Sequence, residues 1–559
     1  MVKSKTSRGY ALIESLAFPI LVLAAFMTRI LPLYFGPYPF NNDGLTECAI
    51  ASDIVGTGHL LINPSPIDGT THSEATPMFN VLIAYVAASF GVDPFFCAQL
   101  ISSVISVVTI SALFLLGRHF AGDVRGGVAA AFLGLLMGTF VFTTASVWKE
   151  SLGIALMLLI LFSFLRRSEN RYRFLCFFLL MILPLVHHSV TGMTLLMLAF
   201  PLTWSWYLAA TGNFLRLRHL QDLLMLGVPG VWTYFYYSSL SFDRLQGFAS
   251  PIKMALAVVA FILLCEIMFI LLMMKNHSKW TFAPLPGLGI VAVIALDYLG
   301  YLYDYEPAVG FVYFLLVFSF AYMVSLSWYG AEVAVETKPI VRAVLLGLLL
   351  SPVTLVGYAA VAGFTSASHQ IVYRTFDFVD IFIFIGCGIA LSAVYPRSNR
   401  KYLVAGAALL LAAIVSFPFA YVSDLTGVRH DTNGFEVDAI YWIDDRMSDP
   451  RIVSDERVSY IASALVGVPQ ESFLPGYIIG NTQFPGGYSF IMEDSWTTEG
   501  VNDYPKGTVV IPMSNFSRTL QITNVVCISG PADDRAIVFL GSYIGPVRYG
   551  LLPIAWDDA

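Results

Sequence analysis

The sequence predicts an α-helical polytopic membrane protein with a small α/β domain at its C-terminal end. Three observations carry that prediction. First, the chain of 559 residues is 57% hydrophobic and 12% charged, where soluble domains carry about 25% charged residues. Second, apolar runs long enough to cross a bilayer, about 20 residues each, recur from residue 11 to residue 422. Third, residues 423–559 switch to short apolar runs between polar turns, the texture of a small water-exposed domain.

About thirteen spans are expected, at 11–35, 94–117, 123–145, 151–166, 173–187, 190–209, 222–240, 252–273, 286–303, 308–329, 340–364, 375–395 and 402–422. The first, behind Lys3 and Lys5, is too long for a signal peptide's apolar core and no small-residue cleavage site follows, so it is read as a retained helix. The run Pro77 to Phe90 is too short to cross, and is expected to lie on the outer face as an interfacial helix.

Charge sets the sidedness. With Pro77 to Phe90 uncrossed, the loops holding Arg118, Arg125, Arg166, Arg167, Arg171, Arg173, Arg216, Arg218, Lys275, Lys279, Lys338, Arg342, Arg397, Arg400 and Lys401 fall on the side of Lys3, Lys5 and Arg8. That is the positive-inside arrangement, and it places the N-terminus in the cytoplasm and residues 423–559 outside. The expected division is a membrane domain at 1–422, with a long first outer loop at 36–93, and an extracytoplasmic domain at 423–559. In the latter, an amphipathic helix within Phe435 to Pro450, a strand at 451–454, a helix after Asp455 running through Tyr460 to Val466, and strands at 508–511 and 536–540 suggest α/β order.

Composition excludes some classes. The net charge of −7 and the lack of a basic block set nucleic acid aside. The six cysteines form no CxxC pair, which argues against a zinc or redox site. Cys48 and Cys527 fall on one side, and chance spacing accounts for them better than a disulfide.

The expected topology gathers ionisable residues on the outer face. The first loop brings Asp43, Glu47, Asp53, His59, Asp68, His72 and Glu74; later loops bring Lys149 and Glu150, His187 and His188, Asp304 and Glu306, and a loop at 365–377 with His369, Arg374 and Asp377. Each has an ordinary alternative. Asp43 could simply solvate its loop, Glu150 could pair with Lys149, the histidines could cap helices, and Arg374 could snorkel to lipid phosphates. Glu266 and Asp297 lie inside spans, where carboxylates are costly and usually functional. The inner-face acids and histidines sit among lysines and arginines, where a solvated surface explains them. Taken together, the outer set suits a reaction with a phosphate leaving group. An arginine binds the phosphate, a carboxylate takes the proton of an attacking hydroxyl, and a second carboxylate or a histidine could hold a divalent metal.

The order of these features resembles a known family. It runs from a span ending Thr28-Arg29-Ile30, through Asn42-Asp43-Gly44-Leu45-Thr46-Glu47 and an interfacial helix ending Ser89-Phe90-Gly91, to a span ending Gly117-Arg118-His119-Phe120 and a second acid in Trp148-Lys149-Glu150-Ser151. This is similar to the GT-C membrane glycosyltransferases, which include protein mannosyltransferases, aminoarabinose transferases and oligosaccharyltransferases, with the archaeal members the nearest in texture. The resemblance implies a GT-C-like transmembrane catalytic domain and a sugar donor on polyprenyl (dolichyl) phosphate. It implies Asp43 as catalytic acid/base and Glu150 as the second acid. Arg374, His369, His187, His188, Glu47, His72 and Arg29 would be substrate-binding residues. A divalent cation, Mg or Mn, would fall to Asp43 and Glu150 if one is used. It further implies membrane lipids as surroundings, a glycan or protein as acceptor, and a multi-pass location in the plasma membrane. One departure narrows the acceptor. Oligosaccharyltransferases carry Trp-Trp-Asp at the strand end where this chain has Val453-Ser454-Asp455-Glu456. That favours single-sugar transfer to a lipid-linked glycan, glycoprotein or cell-surface polymer over en bloc transfer to asparagine.

Two rival classes make different demands. A transporter would place polar residues at the bilayer midplane on broken, repeated helices, whereas the acids here cluster in the first outer loop and no repeat is visible. A scaffold would tolerate amides at Asp43 and Glu150. Tyr477, Phe484, Tyr488, Trp496 and Tyr504 offer stacking faces for sugar or core packing, and Asn515-Phe516-Ser517 is a sequon of low specificity.

Overall fold

The computed structural model describes residues 8–35, 38–39, 41–60, 76–211, 217–239, 267, 269, 311–335, 339–361, 366–395, 399–417, 432–448, 450–469, 471–480, 484–498, 500–503, 507–531 and 535–540. The expected spans 252–273 and 286–303 lie outside these residues but for positions 267 and 269, and so do His72, Glu74, Asp68, Glu266, Asp297, Asp304, Glu306 and Tyr504.

The helices before the C-terminal region are α1 (Arg8–Ile30), α2 (Pro32–Phe35), α3 (Asn42–Thr57), α4 (Met78–Phe90), α5 (Pro94–Ala121), α6 (Val124–Leu136), α7 (Gly138–Ala145), α8 (Lys149–Leu165), α9 (Asn170–Ile182), α10 (His188–Thr211), α11 (Leu217–Ser239), α12 (Phe311–Val335), α13 (Pro339–Val361), α14 (Ser366–Val394) and α15 (Asn399–Ser416). There follow α16 (Gly434–Asp444), β1 (Ile452–Val453), α17 (Glu456–Val466), α18 (Leu474–Gly480), β2 (Ser489–Glu493), β3 (Val501–Asp503), β4 (Gly507–Val509), α19 (Met513–Ile522), β5 (Asn524–Ser529) and β6 (Ala536–Leu540). Among the described residues, Pro94–Ala121, His188–Thr211 and Asp377–Val394 are long and apolar enough to cross a membrane.

Three expectations are corrected. The polar stretch from Asp43 onward is the 16-residue helix α3, ended by Gly58 in the left-handed region at φ 71°. The interval 365–377 is helical from Ser366, the start of α14. The expected single span 123–145 is two helices, α6 and α7, bent by 72° at Met137. A helix break needs a local cause; here side chains take up the freed backbone groups, as described below.

The chain divides into two compact units. One holds Met1–Ile30, Ser102–Ala145 and Lys149–Tyr421; the other holds Leu31–Ile101, Ser146–Trp148 and Val422–Ala559. The first is a helical bundle around an apolar core that includes Leu113, Phe140, Leu158, Met197, Leu345 and Phe384. Its helices touch backbone to backbone where glycines coincide. A Cβ at Gly117 of α5 would stand 2.6 Å from the Gly126 carbonyl oxygen of α6, and one at Gly388 of α14 would stand 2.5 Å from the same atom. Gly388→Ala is therefore expected to destabilise the protein by about 1–3 kcal/mol, the cost of overpacking. Gly406→Ala, where a Cβ meets nothing within 4 Å, should raise stability slightly through helix propensity. Melting of the detergent-purified variants checks the contrast.

The second unit has a four-stranded sheet of order β1-β2-β6-β5, with β1 parallel to β2 and the other pairs antiparallel. Alternate strand residues point to opposite faces, and both faces are covered. Ile452, Ile491 and Val538 pack with α16 and α17 through Val437, Ile440, Val458 and Ile461. Val453, Phe490, Ile537 and Phe539 pack with α18 and α19 through Leu474, Ile478 and Phe516. Burial on both faces is why the strands read as continuous apolar runs. Leu45 of α3 is fully buried in the first of these cores. The helix with Asp43 is thus packed into the α/β core, a partnership that no local pattern in the sequence announces.

Several candidate recognition residues have structural occupations here. Trp496 is 1% exposed and belongs to the core with Phe484 and Tyr488 beside it. Tyr477 stacks on Phe484 at 6.0 Å. The Asn515 side chain donates to the carbonyls of Ile478 and Ile479, each at 3.2 Å, closing the C-terminal end of α18. Cys48 and Cys527 are both free and buried, and burial pushes the Cys48 thiol well above its ordinary range.

Candidate functional site

The site candidates in the second unit are built on α3. Asp43 is the second residue of that helix and half-buried, where the exposed N–H groups of a first turn favour a carboxylate. The residues around it fix that turn. Asn41 takes the N-cap position, yet its side chain does not cap α3. Instead its Oδ1 accepts the Val147 N–H at 2.9 Å. Gly44 lets this contact close, since a Cβ there would come within 2.7 Å of Pro39 Cβ and 2.9 Å of Val147 Cβ. Asn41 and Gly44 therefore seat the first turn of α3 on the turn Ser146–Trp148.

Glu47 lies one turn further along α3. Its carboxylate accepts a hydrogen bond from Asn80 of α4, and its carbonyl accepts a second from the same amide at 3.1 Å. Asn80 is fully buried, so Glu47 fixes α4 against α3. Tyr38 lies within the electrostatic reach of Tyr441, Asp438 and Asp93. Burial raises the Asp438 carboxyl, and burial, Tyr441 and the two acids raise the Tyr38 hydroxyl.

In the helical bundle, Glu150 is likewise the second residue of its helix, α8, and is 4% exposed. Ser151 beside it donates to the Thr143 carbonyl of α7 at 2.7 Å. One turn along α8, Gly153 presents backbone to α10: a Cβ there would meet Val190 at 3.0 Å and His187 Cβ at 3.4 Å. His187 is buried, and its Nδ1 accepts the Val190 N–H at 3.3 Å, which leaves the ring proton on Nε2. His188 stacks on it, with centroids 5.0 Å apart and planes 16° from parallel. The structure thus brings His187 and His188 to the first turns of α8, the helix of Glu150. His369 and Arg374 lie in the first turns of α14 rather than in a loop.

Arg29 is fully buried and turned toward protein. Its guanidinium donates to the carbonyls of Gly134 at 2.7 Å and Leu135 at 3.0 Å, the last carbonyls of α6, and to Thr144 Oγ1 at 3.2 Å. A cation at a helix C-terminus is favourable, and these bonds satisfy carbonyls that the 72° bend would otherwise orphan. On the other side of the break, the Gly138 N–H donates to Ser416 Oγ at 2.8 Å. Arg29→Met is expected to lower stability by about 2–5 kcal/mol, because buried carbonyls lose a charged donor. A melting experiment on the purified protein reads this directly.

Two carboxylates to which the sequence assigned no individual role face the same break. Asp377 and Asp380 of α14 are buried, at 7% and 0% exposure. Thr139 donates to Asp380 at 2.9 Å, and Thr143 lies 3.0 Å from both Asp377 oxygens. The signal in the sequence was the i, i+3 spacing of two acids in an apolar run facing two threonines four apart. It was obscured because 365–377 reads as a loop. Among the described residues no group of three or more His, Cys, Asp or Glu is placed to hold a metal ion.

No protein-family model matches the chain, and no curated protein sequence does. Solved structures do match. The Archaeoglobus fulgidus oligosaccharyltransferase tethered to an acceptor peptide with the NVT sequon matches with a TM-score of 0.55 at 12% identity, over 95% of this chain and 74% of that one. The apo form of that enzyme matches with a TM-score of 0.50 at 15% identity, over 82% of this chain and 64% of that one. The present chain thus spans less than two thirds of that enzyme's length. A third structure, archaeal oligosaccharyltransferase AglB of the same organism with an inhibitory peptide and a dolichol-phosphate, matches with a TM-score of 0.50 at 14% identity, over 83% of this chain and 64% of that one. These structural neighbours are GT-C membrane glycosyltransferases, and at such identities the likeness is one of fold.

Proposed function

We propose that this chain is a membrane glycosyltransferase that moves a sugar from a polyprenyl (dolichyl) phosphate to a lipid-linked glycan, glycoprotein or cell-surface acceptor outside the plasma membrane. The observation that carries the reading is the fold shared over 95% of the chain with a glycosyltransferase, joined to Asp43 standing half-buried in the first turn of α3. The dolichol-phosphate bound by the archaeal enzyme supports the donor class.

In this reading the acceptor oxygen attacks the anomeric carbon and forms the new glycosidic bond. The bond from that carbon to the phosphate oxygen breaks, and the polyprenyl phosphate leaves with the electron pair. The acceptor proton passes to the Asp43 carboxylate. One displacement inverts the anomeric centre. Arg374 and His369 bind the phosphate, His187 and His188 assist them, and Glu150 is the second acid at the reacting groups.

Transfer of a whole oligosaccharide to protein is favoured by the identity of the solved neighbours. It is opposed by Val453 and Ser454, which precede Asp455 in place of the double tryptophan that the resemblance to oligosaccharyltransferases implies. Here Asp455 is 2% exposed and caps α17 by accepting the Val458 N–H at 2.9 Å. Single-sugar transfer is the better reading.

A ligand that binds only the folded protein raises its melting temperature. Polyprenyl phosphate should do so with the detergent-purified protein, and the phosphate-free prenol should not. Equal shifts with both, or none with either, would count against a phosphate-directed lipid site.

A further inference from the structure

We infer that Asp377 and Asp380 are positioning residues that act through the short helix α7 to hold the first turn of α8, and with it Glu150. The inference rests on the reading of Glu150 proposed above. Two carboxylates three residues apart share one face of α14, and two threonines four apart share one face of α7. They meet as two rungs. Thr139 donates to Asp380 at 2.9 Å, and the Thr143 hydroxyl stands 3.0 Å from both Asp377 oxygens.

Both carboxylates are buried beside an apolar core, where an ionisable group is costly and is kept for a use. The use is visible in what α7 lacks. The 72° bend separates it from α6, so a helix of eight residues takes its direction from the side chains that clamp it. Thr143 then carries the restraint onward. Its hydroxyl is held by Asp377, and its carbonyl accepts the Ser151 hydroxyl at 2.7 Å. Ser151 is the chain neighbour of Glu150. A carboxylate with a role at a reacting centre needs its backbone fixed to within a fraction of an ångström. This relay does so from a different helix, twenty dozen residues away in sequence, roughly speaking, and from within an apolar bundle.

The test uses the full chain in detergent micelles. Thr143→Val removes the hydroxyl and keeps the shape, Thr143→Ser returns it, and Ser151→Ala cuts the second link. Amide hydrogen exchange at residues 149–153 should rise about tenfold in Thr143→Val and Ser151→Ala, and stay at the wild-type level in Thr143→Ser. With a polyprenyl-phosphate sugar that the wild type consumes, Thr143→Val should lower kcat about a hundredfold with KM unchanged, and Thr143→Ser should restore it. Unchanged exchange at 149–153 in both disruptive variants overturns the relay. Raised exchange with unaltered kcat overturns the positioning role. A wild type that consumes no donor removes the reaction and the positioning role with it, and the exchange result separates that failure from failure of the relay.

Discussion

Asp43→Asn is expected to lower kcat for sugar transfer by about 100- to 10,000-fold, the range for loss of a positioned general base. The amide keeps the size of the side chain and one acceptor oxygen but cannot take up the acceptor proton. KM for the donor should change little, because the lipid phosphate is assigned to Arg374 and His369. The fold should survive. Asp43 is half-buried, and its helix is anchored by others: Leu45 in the α/β core, Asn41 on Val147 and Glu47 on Asn80. Glu47→Gln keeps an acceptor for Asn80 and should cost far less activity. Turnover in Asp43→Asn equal to wild type would move the base to another carboxylate, with Glu47 and Glu150 the next candidates.

The second large effect is on stability. Arg457→Leu should destabilise the α/β unit by about 3–5 kcal/mol, the cost of breaking a buried ion pair from one side. Arg457 is 1% exposed and stands between two fully buried carboxylates. It donates to Glu436 at 2.8 and 2.7 Å and to Glu493 at 2.8 and 2.9 Å. Losing it leaves two charges facing each other in a dry interior. The three groups join α16, α17 and β2, so their separation should loosen the face of the sheet that also takes Leu45. Limited proteolysis of the full chain should show faster cleavage within 432–540, and exchange in α3 should rise with it. Combining Arg457→Leu with Glu436→Gln and Glu493→Gln should recover much of the loss, because the uncompensated charges are gone. Wild-type proteolysis of the single variant would contradict this account.

The mostly helical class was legible because long apolar runs and the 3.6-residue period leave direct marks. Strand β6 was read at its observed bounds, since Ala536 to Leu540 is an unbroken β-prone run with polar residues before it. Glu150 at a helix start followed from the switch between Thr144-Ala145-Ser146 and the apolar run after it. What was missed depends on contacts distant in sequence. The helix α3 was hidden because its apolar residues, such as Leu45, Ile50 and Ala51, are too few for a strong period, and it is stabilised by residues some 400 positions later, by rough count. The break at Met137 was hidden because the residues that relieve it, Arg29 and Ser416, lie far away on either side. Asp377 and Asp380 read as loop and span residues for the same reason: only packing reveals the threonines opposite them. The aromatic residues from Phe473 to Trp496 show the reverse case. Stacking faces and core faces have the same composition, and burial alone separates them.

The central claim is sugar transfer from a polyprenyl-phosphate donor. The most direct measurement is mass spectrometry of released polyprenyl phosphate from proteoliposomes, supplied with a panel of polyprenyl-phosphate sugars and a membrane extract as acceptor. The account predicts release with at least one sugar, dependent on the extract and lost in Asp43→Asn. Reconstituted, folded protein that releases no polyprenyl phosphate from any donor in the panel, while moving a solute across the same liposomes, would contradict it.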